Sequence, residues 1–287
     1  MKRIILLCII VCTASAGFAQ TDTTANNENT TDTIKIGGMI IIRKPGSQDK
    51  EAKQERNVQI MNRKRNNNSN VSTNWWIVDL GFNNIADNSN YATALSSGYL
   101  QPGNSQHSFT DNDFKLRAGK SVNVNVWVFM QKLNMIKHVV NLKYGLGVEL
   151  NNYRYKKDNN ISYRDASPSY IFWDSVSFSK NKLAADYVTV PMMLNFNTTP
   201  RSGNRGFSFS VGVSAGYLYS GRNKQISDER GKKKEKGDIG LEKWKLAYIG
   251  ELGLGPVRLY GSYAITNMFE KGLDQKPYSI GIRLSNW

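Results

Sequence analysis

Residues 139–155, VVNLKYGLGVELNNYRY, constrain the fold more than any other stretch of this 287-residue chain. Val140, Leu142, Tyr144, Leu146, Val148 and Leu150 are apolar, and the intervening Asn141, Lys143, Gly145, Gly147, Glu149 and Asn151 are polar or small. Alternation with period two sends one set to one face of a β-strand and the other set to the opposite face. The run is longer than the about 5–6 residues of an ordinary soluble strand and meets the roughly 9–11 that a tilted strand needs to cross a bilayer. It predicts a membrane-crossing strand with Lys143 and Glu149 turned away from lipid.

The pattern recurs in eight segments: 75–83, 120–130, 139–155, 184–196, 207–219, 243–253, 257–266 and 278–286. The gaps between them alternate in length. Residues 84–119, 154–183, 220–242 and 267–277 are long, whereas 131–138, 197–206 and 254–256 are short. Outer-membrane barrels have long external loops and short periplasmic turns, and an even strand count returns the C-terminus to the periplasm. The expected fold is all-β: an eight-stranded antiparallel transmembrane β-barrel. Trp76, Tyr217, Tyr219, Trp244, Tyr278 and Trp287 lie near segment ends, where interfacial girdles sit. A soluble two-sheet sandwich also uses alternating strands and is the structural alternative; strand length and loop asymmetry weigh against it.

Mean hydropathy is −0.48, so no bundle of apolar transmembrane helices is hidden in the chain. The compact apolar run, residues 4–11, follows Lys2 and Arg3 and precedes Gly17, Phe18 and Ala19. Residues 1–19 read as a secretory signal peptide, which implies export to the outer membrane. Both cysteines, Cys8 and Cys12, lie within it, so disulfides, thiolate metal sites and cysteine nucleophiles are excluded from the mature chain. Residues 20–74, rich in Thr, Asn, Lys and Arg, read as a mostly flexible periplasmic segment. Within it 33–43 is a short strand or adhesive stretch, 49–65 a marginal helix and 66–70 a linker. The barrel domain is placed at 75–287.

With the apolar face outward, the opposite face collects Asp79, Lys143, Glu149, Lys243, Lys245, Glu251, Arg258 and Arg283. Eight strands leave a lumen just wide enough for side chains to fill, so these groups should pair into a polar plug. An unpaired buried charge costs several kcal/mol, which makes pairing nearly obligatory. A proton or ion path is the sharper alternative, and the narrow lumen opposes it. Pro191 cannot donate to a ladder, so a bulge is expected there.

The formal net charge of +15 calls for anionic partners. Export argues against nucleic acid and favours outer-membrane lipid and the phosphates of surface glycolipid. Residues 222–238 hold the densest basic cluster, in which Arg222, Lys224, Lys232, Lys233 and Lys234 are candidate glycolipid contacts; a solvated flexible loop is the plainer reading. Ser105, His107, Ser108 and Asp111 form the one enzyme-like grouping. A polar loop has the same composition, and no metal, dinucleotide or Walker motif accompanies it. The chain is read as no enzyme, without metal or cofactor.

Tyr187-Val188-Thr189-Val190-Pro191-Met192-Met193-Leu194 resembles a Tyr-apolar-x-apolar-Pro-apolar pattern of Bacteroidetes outer-membrane barrels, including the PorT-like group. The run from Tyr144 to Tyr155 and the closing Ser-Ile-Gly-Ile-Arg-Leu from Ser279 are similar to the same group, over about residues 75–287. The resemblance implies the barrel fold. For function it implies either an accessory of protein secretion across the outer membrane, with a periplasmic or secretion-complex partner, or a structural or adhesive role like that of OmpA-like and OmpX-like barrels. Rigid barrel, mobile outer loops and a periplasmic N-terminal segment complete the expected picture. One departure stands out: terminal Trp287 is one residue out of phase with Ile280, Ile282 and Leu284.

Overall fold

The computed structural model describes residues 32–36, 39–43, 69–156, 159–198, 206–237, 239–255 and 257–285. It divides into two units, residues 1–66 and 67–287. In the first, β1 (Asp32–Ile36) and β2 (Met39–Arg43) pair antiparallel, with Ile36 opposite Met39. The expected signal peptide, the helix at 49–65 and most of the flexible segment lie outside the described residues.

The second unit contains β3 (Val71–Asp87), β4 (Leu100–Gln101), β5 (Val122–Ile136), β6 (Val140–Arg154), β7 (Asn159–Arg164), β8 (Tyr170–Phe178) and β9 (Lys180–Asn197). It continues with β10 (Phe207–Ser227), β11 (Gly231–Lys236), β12 (Trp244–Leu254), β13 (Val257–Ala264) and β14 (Gln275–Leu284). Eight of these, β3, β5, β6, β9, β10, β12, β13 and β14, each pair antiparallel with the next in sequence, and β14 pairs with β3 to close the ring. The chain is an eight-stranded antiparallel β-barrel. Closure removes the free edges of the wall and satisfies its backbone internally, which hydrocarbon demands.

Alternation decides what each face sees. On β9, Val188, Val190, Met192 and Leu194 are 42–54% exposed, while Thr189, Met193 and Asn195 between them are at most 3% exposed. The same apolar belt continues through Val211 and Val213, Leu246 and Leu252, Ile280 and Ile282, and Leu80 and Phe82. A contiguous belt of this extent is unfavourable in water and matches a lipid environment. Tyr217 packs edge-on to Trp244 at 5.0 Å, and Tyr263 stacks with Tyr278, on the side of the long connections.

Two features of the wall differ from the sequence expectation. The register runs unbroken through Pro191, which faces Ser214 of β10; pairing with β6 lapses beside it, at Gly145 and Leu146, and no bulge forms. Omitting two pairs absorbs the missing donor without re-phasing the strand. The irregularities fall instead between Trp127 and Phe129 and between Asn134 and Ile136 of β5, and between Leu218 and Ser220 of β10. The first reverses the phase of β5, so Met130 points inward and is fully buried.

Small residues on the inner face make room for large ones. Gly81 and Gly281 are directly opposed, and a Cβ on Gly281 would lie 2.5 Å from the Gly81 Cα and 2.7 Å from the Tyr260 ring. A Cβ on Gly147 would meet the Trp127 ring at 2.6 Å. Substitution of Gly281 by Val should therefore abolish the gel-mobility difference between unboiled and boiled detergent-solubilised protein. Gly250→Ala, where the nearest atom would be 3.9 Å away, should preserve that difference; equal behaviour of the two variants would contradict this packing.

Candidate functional site

Inward-pointing positions of the strands converge on one charge network. Arg283 lies directly opposite Asp79 in the β14–β3 ladder. Its Nε–H donates to Asp79 Oδ1 at 2.7 Å and its Nη2 to Oδ2 at 2.8 Å, a bidentate pair. Its third arm, Nη1, donates to Glu251 Oε2 at 2.9 Å. Glu251 also accepts from Lys143 Nζ at 2.8 and 2.9 Å and from Arg258 Nη1 at 3.4 Å. The Arg283 guanidinium lies 5.6 Å from the Trp127 ring centre, and Trp127 Nε1–H donates to Asp79 at 2.7 Å.

A second pair closes the lumen further along: Lys245 Nζ donates to Glu149 Oε2 at 2.5 Å and lies 5.5 Å from the Tyr187 ring. Lys143 and Glu149 are on β6, whereas Glu251 and Lys245 are on β12, strands that are not neighbours in the ring. These two pairs are struts across the barrel. All seven residues, Asp79, Lys143, Glu149, Lys245, Glu251, Arg258 and Arg283, are buried. Three carboxylates face four cations, leaving a formal +1. Lys243 is the exception: it precedes β12, its side chain is 56% exposed, and it lies 3.7 Å from Glu270 outside the lumen. Alternation alone places it inside, but the strand begins only at Trp244.

Buried amides that the charge pattern alone did not single out complete the filling. Asn123 donates to Asn151 and Asn125, Asn83 donates to Asn151, Asn125 donates to Asp79, and Tyr260 donates to Asn123. Asn123 and Asn125 alternate with Val122, Val124 and Val126, so the pattern was readable; their partners, on other strands, were not. Ile77, Trp127, Met130 and Met193 add an apolar cluster to the same interior.

Above the lumen the long connections fold. β7 pairs with β8, β4 adds in parallel to β8, and short helices span Tyr91–Ser96 and Asp111–Phe114. Leu100, Phe109, Ile161, Ile171 and Phe269 from these connections share an apolar core with Tyr153, Leu183 and Tyr187 from the barrel strands. The expected mobile loops are instead a cap with its own core. Burial, and then the neighbouring Tyr155, push the Tyr163 hydroxyl far above the usual phenol range, so it serves as neutral filling. An open cleft of about 410 Å³ on the cap is lined by Asp87, Asp111, Lys115 and Lys156, among others.

The basic stretch is a hairpin rather than a loop. β10 continues past the barrel and pairs with β11, placing Arg222 opposite Lys236, Lys224 opposite Lys234 and Gln225 opposite Lys233. Arg222, Lys224, Lys232 and Lys234 therefore share one face, and Lys233 lies on the other. Arg230, at the hairpin end, binds Asp174 of β8 at 2.8 Å. Burial pushes the Asp174 carboxyl up, but the Arg230 hydrogen bond, the Val176 amide and the Arg230 charge outweigh it and hold it below the usual range.

The enzyme-like residues do not assemble. His107 Nε2 is 3.1 Å from Asp113, not Asp111, and its ring stacks on Trp173 at 3.4 Å. Ser105 donates its hydroxyl to the Pro102 carbonyl, and Asp111 pairs with Lys115.

Glu251→Gln should destabilise the barrel by about 3–5 kcal/mol in urea unfolding, because three buried cations lose their shared carboxylate. Lys243→Gln should stay within about 0.5 kcal/mol of the parent, as a surface change; equal losses would refute the assignment. For Asp174, a carboxyl depressed on folding contributes stability above its unfolded pKa, and that contribution is lost as pH falls through the lower folded value. Trp173 fluorescence should report an acid loosening of the cap that Asp174→Asn shifts to higher pH or removes.

Residues 62–270 match the family model described as outer membrane protein beta-barrel domain, a span that includes β3 to β13 and stops before β14. Among solved structures the chain is similar to the attachment invasion locus protein Ail of Yersinia pestis, determined in complex with the heparin analogue sucrose octasulfate. The likeness is 11% identity over 75% of this chain and 97% of that chain, with a TM-score of 0.28. Among curated proteins none matches. The match over most of the sequence and the closed ring of eight strands agree: the chain belongs to the outer membrane protein beta-barrel domain family.

Proposed function

We propose that this protein is a non-enzymatic interaction barrel of the outer membrane, brought there by the signal peptide at residues 1–19. It presents a folded cap at the cell surface and conducts no solute. One observation carries the reading. The lumen is filled by mutually paired side chains, with Arg283 holding Asp79 and Glu251 at 2.7–2.9 Å and two struts joining β6 to β12. A transport path needs mobile water and groups free to exchange partners; here the charges satisfy one another. The cap core rests on inward residues at the barrel mouth, so the surface that remains for function is outside. Its partners are membrane lipid on the apolar belt and surface glycolipid at the cap end.

The test is conductance in planar bilayers. Reconstituted wild type should give no discrete steps, whereas Glu149→Ala combined with Glu251→Ala should open a leak, because both struts of the plug go. Steps in the wild type would overturn the closed-barrel reading. For the absence of catalysis, His107→Ala should leave membrane lipid composition unchanged; a lost lipid product would show an enzyme.

A further inference from the structure

Strand pairing aligns cations that are far apart in sequence. Arg154 of β6 lies opposite Lys182 of β9, Lys182 opposite Lys224 of β10, and Lys224 opposite Lys234 of β11. Directly opposed residues project from the same side of a sheet, so these form one row across four strands. With neighbouring strands about 4.7–4.9 Å apart, the row is roughly 14 Å wide. Parallel to it, two residues away, Arg222 stands opposite Lys236 on one side, and on the other Lys180 stands opposite Ile226, itself opposite Lys232.

This face is the outward one. Lys182 is in phase with the lipid-facing Val188, Val190 and Met192 of β9, whose register against β6 has no shift between them. The β10 irregularity at Leu218/Ser220 brings the even residues Arg222 and Lys224 onto the face that Tyr217 and Tyr219 occupy below it. The cations therefore emerge directly beyond the aromatic side chains that end the apolar belt.

Among the described residues little balances them. Among the described residues Asp186 is the one carboxylate ion-paired with this group, to Arg222 at 2.5 Å. Like charges directly opposite one another destabilise a sheet. The charge of Lys236 first, and then those of Arg222, Lys224 and Lys232, lower the Lys234 ammonium from the usual lysine value. Lys182 is shifted the same way by burial and then by Lys180, Arg222 and Lys224, against the opposing pull of Asp186. A row of four cations with one carboxylate beside it, fixed on rigid strands just outside the hydrocarbon, matches the phosphate layer of the outer leaflet.

We infer that Arg154, Lys182, Lys224 and Lys234 form a docking row for the phosphate groups of the surface glycolipid that surrounds the barrel. The row rests on the outer-membrane placement above but not on the closed lumen. It extends the sequence-level cluster, adding residues of β6 and β9 and leaving Lys233 on the opposite face. Bound phosphate would relieve repulsion within the row and fix the β10–β11 hairpin against the membrane.

The test uses the full-length protein in detergent, with diphosphorylated lipid A as probe and the combined variant Lys182→Gln, Lys224→Gln and Lys234→Gln. Wild type should bind lipid A on the order of a hundredfold more tightly than the variant, the loss expected when three surface cations are withdrawn. Dephosphorylated lipid A should bind both proteins weakly and alike. Equal affinity of wild type and variant for lipid A would overturn the proposal, as would undiminished binding of the dephosphorylated form. Soluble dextran sulfate competing as well as lipid A would identify a soluble polyanion as the ligand and overturn the membrane assignment. The variant must retain its heat-dependent gel mobility; if it does not, Lys224→Gln alone, expected to weaken lipid A binding several-fold, decides. Conductance of the wild type would refute the closed-barrel function and leave the lipid A result standing.

Discussion

Closing eight strands into a ring leaves an interior too narrow for water to solvate charge, and the rest of the structure follows from that constraint. Every ionised side chain turned inward must find a partner inside. Arg283 meets it most fully: it holds Asp79 on the neighbouring strand and Glu251 toward the lumen, and Glu251 in turn receives Lys143 and Arg258. The bulky groups fit because their neighbours are small, as Gly81 and Gly281 are beneath Tyr260. The apolar residues in the alternate phase are then left on the outside, where lipid is the solvent they match.

The same rigidity explains the cap. Tyr153, Leu183 and Tyr187 occupy inner positions where the strands rise past the charge network, and they offer an apolar platform. The long connections cover it with Phe109, Ile161, Ile171 and Phe269, and the Asp174–Arg230 pair ties β8 to the projecting hairpin. What the barrel shows to its surroundings is thus a folded surface on fixed strands, suited to recognition through prearranged contacts.

Period-two alternation made all eight wall strands legible, because lipid on one side and a filled lumen on the other impose the same contrast along each strand. It also identified seven of the lumen charges, since phase alone decides which face a residue takes. Phase fails where a strand ends or slips. Lys243 is in phase yet lies before β12, and the irregularity after Trp127 turns Met130 inward. Partners were not legible: stagger around the ring sets Lys143 against Glu251 and Lys245 against Glu149, and no local spacing encodes stagger. The cap strand β7 has six residues and is buried on both faces in part, which erases alternation. The row from Arg154 to Lys234 was hidden for a related reason, since its members are brought together by register across four strands.

The central claim is that the two phases of the wall face lipid and a dry, filled interior. Single cysteines at Val188, Thr189, Met192, Met193, Leu194 and Asn195 of β9, in a chain with Cys8 and Cys12 replaced, would test it after reconstitution and labelling with an environment-sensitive fluorophore. Lipid-borne quenchers should act strongly at Val188, Met192 and Leu194, while Thr189, Met193 and Asn195 should be protected from lipid-borne and aqueous quenchers alike. Equal quenching of both phases, or free access of an aqueous quencher to the inner phase, would contradict the account.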